Sequence, residues 1–169
     1  ILFELNEVPR RLFDLYVKKY PKSAFAQIAN EGIILDTITY DNGELHPWST
    51  WPTVHRGVDN RTHNIRSLNQ DLSKVKKYKP IWELLIQNKI DVGIFGSLHS
   101  YPPIKNKFCK FHLPDTFAPS PSAFPKYLSH FQSFNLDLTT ENKALSRTIS
   151  KKYIFKFLKL LLNKSISFS

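Results

Sequence analysis

Length, composition and charge indicate one globular domain with an excess of positive charge. The chain has 169 residues, 41% of them hydrophobic, so it can bury a core, and its one cysteine excludes an internal disulfide or a cysteine-rich zinc site. No segment reaches the roughly 18 consecutive apolar residues of a membrane span. The net charge of +10 favours polyanionic partners, unless the lysines only form a solvated surface.

The N-terminal part of the chain contains two predicted strands and two predicted helices. The apolar run at residues 1–5 and the alternating, β-branched run at residues 33–40 predict the strands. A proline precedes each of the helices, which are predicted at residues 10–20 and 22–30. The order strand, helix, helix, strand is the beginning of an α/β pattern.

The middle of the chain continues this pattern. We predict a short amphipathic helix at residues 80–88, an apolar strand at 91–96 and a further strand at 107–113. A loop rich in Pro and Ser follows at residues 114–125, and a helix is predicted at 125–134. Strands that alternate with helices indicate an α/β fold with a largely parallel sheet.

Residues 45–57 contain the densest group of side chains that could carry chemistry. Pro52 predicts a helix that begins near Trp51, which would place Thr50 beside the free N–H groups of a helix N-terminus. Such groups and the helix dipole stabilise anions, so Thr50 is a candidate nucleophile for a bound phosphate or sulfate. The alternative is that Thr50 or Ser49 is simply the N-cap.

A family resemblance strengthens the first interpretation. Residues 50–53 (TWPT), Gly57 and residues 62–65 (THNI) resemble the nucleotide pyrophosphatase/phosphodiesterase branch of the alkaline phosphatase superfamily, and residues 80–85 and 91–96 resemble its helix-strand unit. The resemblance implies a three-layer sandwich with a mostly parallel central sheet flanked by helices, present here in incomplete form.

The resemblance also implies an activity: metal-dependent hydrolysis of phosphate esters, including diesters, or of sulfate esters. Thr50 would attack phosphorus or sulfur, form a covalent intermediate and ligate one metal ion. Thr53 would contact a non-bridging oxygen of the substrate, a small anionic ester. Arg56 would neutralise the substrate anion, unless it only caps the C-terminal end of a short helix.

Two divalent metal ions, usually zinc, belong to this family resemblance. Residues 1–8 resemble the family's first strand, which ends in a metal-binding acid, so Asn6 or Glu4 would be the ligand there. An amide binds a divalent cation more weakly than a carboxylate does, although Glu7 could compensate. No Asp-His pair supplies the remaining ligands, and the chain contains no Met. We therefore expect a fragment, or a protein that has lost catalysis.

Three histidines follow or flank the candidate nucleophile in sequence: His46, His55 and His63. They would be either metal ligands or polar residues of structural loops. Asn64 replaces the family's Gly, and Asn tolerates left-handed backbone better than most residues do.

The C-terminal tail allows a different kind of function. Residues 1–150 form the predicted domain, and residues 151–169 form a basic, apolar tail. The tail would be a helix that packs on missing sequence, a helix on an anionic membrane surface, or an unstructured segment. The whole chain could instead be a non-catalytic basic module that binds an anionic polymer or a membrane surface. Nucleic acid is disfavoured because no nucleic-acid-binding motif is visible.

Overall fold

The computed structural model describes residues 1–68, 70–140 and 151–162 of the chain. The chain divides into two compact units, Ile1–Tyr40 and Asp41–Ser169. The described residues form seven α-helices and a two-stranded parallel sheet. The α/β class is therefore confirmed, and the finer sandwich architecture stays a prediction.

The first unit is built from two helices, α1 (Arg10–Lys19) and α2 (Ala24–Glu31), both as predicted. The hydroxyl oxygen of Ser23 accepts a hydrogen bond from the Ala26 N–H at 3.2 Å. This N-cap satisfies one of the N–H groups that the first turn of a helix leaves free. The local sequence is thus sufficient to start α2.

Aromatic rings join the two helices. The ring centroids of Phe13 and Tyr16 on α1 lie 6.0 and 5.9 Å from that of Phe25 on α2, and both pairs meet edge to face. Edge-to-face pairs at this distance are favourable because the positive ring edge meets the negative ring face.

Both strands predicted for the first unit are wrong. Residues 1–5 and 33–40 contain no strand, and the side chains of Ile33 and Ile38 are 87% and 81% exposed. Alternating apolar residues favour a strand, but a ladder also needs a neighbouring strand to pair its N–H and C=O groups. The described part of this unit offers no such neighbour.

The second unit contains the remaining elements. Its helices and strands, in chain order, are α3 (Pro47–Arg56), α4 (Asn60–His63), α5 (Ile81–Gln87), β1 (Val92–Phe95), β2 (Cys109–Leu113), α6 (Ser129–Thr140) and α7 (Lys151–Leu162). Short 3-10 helices lie at Leu72–Val75 and Lys126–Leu128. The predictions of α5, β1 and β2 are confirmed. No helix in the described residues is long and apolar enough to cross a bilayer.

The sheet joins β1 and β2 in parallel, with Ile94 opposite His112. Gly93 is required by a close approach, since a Cβ there would lie 2.3 Å from the ring of Phe111 on β2. Cys109, at the start of β2, is buried. The helix α5 packs against β1, so its apolar side covers the sheet.

His112 is the polar residue at the centre of this packing. Its side chain is fully buried, and Nδ1 accepts a hydrogen bond from the Ile104 N–H at 3.0 Å. That bond fixes the neutral ring with its proton on Nε2. Burial lowers the pKa of His112 to about 4, and the backbone of Ser100 opposes the shift only in part.

We expect His112 to make stability depend on pH. The unfolded chain binds this proton near the ordinary pKa of 6.5, whereas the folded chain binds it only near 4. Stability is therefore highest above pH 6.5 and falls by about 3 kcal/mol as the pH drops through this window. Urea unfolding of the wild type and of His112→Asn, which keeps an acceptor for the Ile104 N–H, should show a smaller loss in the variant.

The matched control is His130→Asn, because His130 is exposed. This variant should retain the pH dependence of the wild type. Equal slopes of unfolding free energy against pH in the wild type and His112→Asn would contradict the assignment.

Candidate functional site

A cavity of about 670 Å³ lies in the second unit, and the loops that follow both strands line it. The loop after β1 contributes His99–Ile104, and the loop after β2 contributes Asp115 and Phe117–Pro119. Parallel strands end at the same edge of their sheet, and α/β proteins bind ligands beyond that edge. The volume falls within the roughly 300–1,000 Å³ of small-molecule sites.

A second wall of the cavity comes from α3, from the segment that leads into α5 and from α5 itself. It includes Arg56, Lys76 and Lys79 as well as the acidic residues Asp71 and Glu83. The carboxylate of Asp71 accepts hydrogen bonds from the backbone and hydroxyl of Ser73. One acid of this wall is therefore engaged within its own turn.

Arg56 ends α3 and reaches into this wall. Its Nη1 donates to the carbonyl of Tyr78, so the side chain does not cap its own helix. Its Nε is buried and has no hydrogen-bond partner in the described residues. Burial lowers the pKa of Arg56, and the charge of Glu83 opposes this, but a guanidinium stays protonated. A buried donor without an acceptor is a position that a ligand oxygen can fill.

Ser100 offers a second such position. Its side chain is 5% exposed, and Oγ has no hydrogen-bond partner in the part of the chain that the structure describes. Ser100 and Arg56 both line the cavity, so two side chains of its wall each contain a buried polar atom without a partner in the described residues.

His99 owes its place to a proline. Pro52 lies inside α3 and has no N–H, so the carbonyl of Trp48 one turn earlier lacks its helical donor. The Nε2 of His99 lies 2.9 Å from that carbonyl oxygen and donates to it. The neutral ring therefore has a free lone pair on Nδ1. Burial lowers the pKa of His99, which keeps the ring neutral.

Asp115 is the most buried of the acidic residues that line the cavity. It is 5% exposed, and its Oδ1 accepts a hydrogen bond from the Phe117 N–H at 2.8 Å. Burial raises the pKa of Asp115, and the hydrogen bond from the Phe117 N–H opposes this rise. A carboxyl group with a raised pKa beside a histidine with a lowered pKa is a pair that can exchange protons with a ligand.

Thr50 lies inside the first turn of α3 and not just before the helix, as the sequence predicted. The helix α3 begins at Pro47, not near Trp51, because a proline at the first helical position loses no hydrogen bond. Thr50 is therefore the fourth residue of the helix, and both its N–H and its hydroxyl donate to the His46 carbonyl, at 2.9 and 3.1 Å. The expected group of free N–H donors beside Thr50 is not formed. The described residues that line the cavity do not include Thr50.

Thr53 belongs to a partly buried polar network. Its hydroxyl donates to the carboxylate of Asp41 at 2.8 Å and lies 3.0 Å from Nε2 of His63. His63 accepts the Ile65 N–H on Nδ1, so its Nε2 carries the proton and donates to Thr53. Burial lowers the pKa of His63. The hydroxyl proton of Thr53 is thus committed to Asp41 and not to a substrate oxygen.

The other two histidines near Thr50 also pack against protein groups. The ring of His46 stacks on Trp48 with the centroids 4.5 Å apart. His55 is buried, with the ring of Trp51 at 6.0 Å and that of Trp82 at 5.0 Å. These contacts favour the structural interpretation of both histidines.

The metal ligands inferred from the resemblance lie in two different units of the chain. Glu4 and Asn6 lie in an irregular segment of the first unit, and the Thr50 hydroxyl donates within its own helix. In the described residues no three His, Cys, Asp or Glu side chains are grouped so that they could hold a metal ion. The two-zinc centre stays a prediction.

Sequence reasoning did not bring together His99 and Asp115, which both line the cavity. A signal was available, because each follows the carboxyl end of a predicted strand by a few residues. Ends of parallel strands meet at one edge of a sheet, so these two residues could have been paired from the sequence.

Comparison of the chain with protein-family models, with curated proteins and with solved structures found no match.

We expect Thr53→Val to lower stability and to leave ligand binding unchanged. The substitution keeps the shape but removes the hydroxyl that joins Asp41 to His63, and an unsatisfied buried group costs roughly 1–3 kcal/mol. Urea unfolding measures this loss. Thr37→Val, at an exposed position of the first unit, is the control. If Thr53→Val instead weakened ligand binding at unchanged stability, Thr53 would be a substrate contact.

Proposed function

We propose that the second unit binds a small phosphate or sulfate ester in its cavity and hydrolyses it, with Arg56 as the principal ligand of the anion. The observation that carries this proposal is the buried Nε of Arg56, which has no acceptor among the described residues and belongs to a side chain that lines a ligand-sized cavity. A guanidinium binds phosphate and sulfate oxygens through charge-assisted, frequently paired hydrogen bonds.

The surrounding charges support an anionic ligand. Lys76 and Lys79 line the same wall as Arg56, and the chain carries a net charge of +10. Burial keeps the pKa of Asp115 above its usual value, which reduces its repulsion of an anion. The lining also includes Asp71, which is engaged within its own turn, and Glu83, whose charge acts on Arg56. Three cations therefore stand against three acids, of which Asp115 is the one more easily neutralised.

Two residues of the cavity have properties suited to proton transfer. A neutral His99 with a free Nδ1 can accept a proton from an attacking hydroxyl or water. A protonated Asp115 can donate one to the oxygen of the departing alcohol. The opposed pKa shifts of the two groups are those expected of a general base and a general acid.

The family resemblance adds a nucleophile and a metal requirement to this proposal. Thr50 would form the covalent intermediate, and it stands two positions from Trp48, whose carbonyl accepts from His99. Its hydroxyl would have to leave the His46 carbonyl to react. Two zinc ions would lower the pKa of that hydroxyl. The three-layer sandwich, of which β1 and β2 would be two central strands, belongs to the same proposal.

Arg56→Gln should weaken the binding of inorganic phosphate by about 10- to 100-fold, because a charge-assisted hydrogen bond contributes roughly 1.5–3 kcal/mol. Arg56→Lys should lose less, since it keeps the charge without the planar fork. Titration calorimetry at low salt measures both affinities.

The control for this experiment is Arg11→Gln, which makes the same charge change on α1, outside the cavity. Phosphate affinity should be unchanged in this variant. A wild type that binds neither phosphate nor sulfate, or an Arg56→Gln variant that binds as tightly as the wild type, would overturn the proposal.

Thr50→Ala should abolish turnover of 4-nitrophenyl phosphate and of bis(4-nitrophenyl) phosphate while phosphate affinity is retained. Ser49→Ala is a close control, because the Ser49 hydroxyl donates to the same His46 carbonyl at 3.1 Å. Turnover that survives Thr50→Ala would remove Thr50 from the role of nucleophile and leave the anion site standing.

A further inference from the structure

The helix α7 exposes its largest apolar side chains. Phe155 and Leu162 are 78% and 82% exposed, and Ile154, Phe157 and Leu158 are also exposed. Single exposed apolar residues are common on protein surfaces. Five of them on one twelve-residue helix form an exposed apolar patch, and such patches often mark a binding surface.

The opposite side of α7 fixes which residues face the protein. Leu160 is 2% exposed, and the ammonium group of Lys156 forms an ion pair with Asp137 of α6. These two residues are four positions apart and therefore share one side of the helix. The side that packs on α6 thus contains a charged group, while the exposed side contains most of the large apolar residues.

The outward residues form a continuous stripe. Phe155, Leu158 and Leu162 follow the spacing i, i+3, i+7, which places them along one line of a helix. Ile154 and, further round the helix, Phe157 extend the stripe on one side, and the exposed Lys159 borders it on the other. A stripe of this kind is the surface through which amphipathic helices enter an apolar phase.

Charge and length indicate which apolar phase this is. The helix contains four lysines and no acidic residue, so it is attracted to negative charge. The exposed Lys159 can extend to the headgroups while its stem lies in the apolar layer. Twelve residues span about 18 Å, less than the ~30 Å hydrocarbon core. We propose that α7 lies in the plane of an anionic membrane surface and inserts Phe155, Leu158 and Leu162 below the headgroups.

This proposal does not rest on the cavity or on its chemistry. It assigns to the full chain a second activity, reversible binding to anionic lipid, which would keep the second unit at a membrane. Either proposal can therefore fail without the other.

The test is cosedimentation of the full chain with vesicles. Phosphatidylcholine vesicles that contain phosphatidylserine should bind the chain, and vesicles of phosphatidylcholine alone should bind it much less, with binding weakened by salt. The double variant Phe155→Ser/Leu162→Ser should lower the partition coefficient by about tenfold or more, since two large apolar side chains no longer leave water.

A matched control separates α7 from the apolar residues of the first unit. Ile33→Ser/Ile38→Ser removes two equally exposed side chains and should leave vesicle binding unchanged. The proposal is overturned if the wild type does not bind anionic vesicles, or if the control loses binding as strongly as the α7 variant. It is also overturned if the α7 variant binds vesicles like the wild type and differs from it only in oligomeric state, measured by sedimentation velocity. The stripe would then join two copies of the chain.

Discussion

A missing hydrogen bond in α3 determines how this helix meets the rest of the second unit. Pro52 deprives the Trp48 carbonyl of its helical donor, and a buried carbonyl without a partner is costly. His99 supplies the donor from the loop after β1. The bond positions the imidazole, selects its tautomer and ties the wall that contains Arg56 to the edge of the sheet. The position of His99 at the cavity is therefore linked to Pro52, a proline inside a helix, although proline is usually expected in the first turn.

The polar network around Thr53 connects α3 to α4. Asp41 accepts from the Thr53 hydroxyl and from the Asn60 N–H, at 2.8 and 2.7 Å, and so joins α3 to the start of α4. His63 completes the network from the end of α4. Because each hydrogen-bonding group named here has a partner, the network specifies one arrangement of the two helices.

Local patterns in the sequence were sufficient to predict five of the helices and strands. The helices α1, α2 and α5 and the strands β1 and β2 follow from periodicity and from proline and serine positions. The strands expected at residues 1–5 and 33–40 did not form, since a pattern of side chains cannot supply a pairing strand. The start of α3 was displaced because two prolines, at 47 and 52, both fit a first helical turn. The cavity was missed because His99 and Asp115 are distant in sequence from Arg56 and meet only through the sheet.

The burial of Cys109 has a consequence for how the chain can be studied. Its thiol is 2% exposed at the first residue of β2, and burial raises its pKa. Alkylating reagents and oxidants react with the thiolate form of cysteine and hardly with the thiol. The single cysteine of the chain is therefore protected from these reagents in the folded state. Alkylation can then proceed only in molecules whose second strand has left the sheet. The rate of that labelling would report how often the sheet opens.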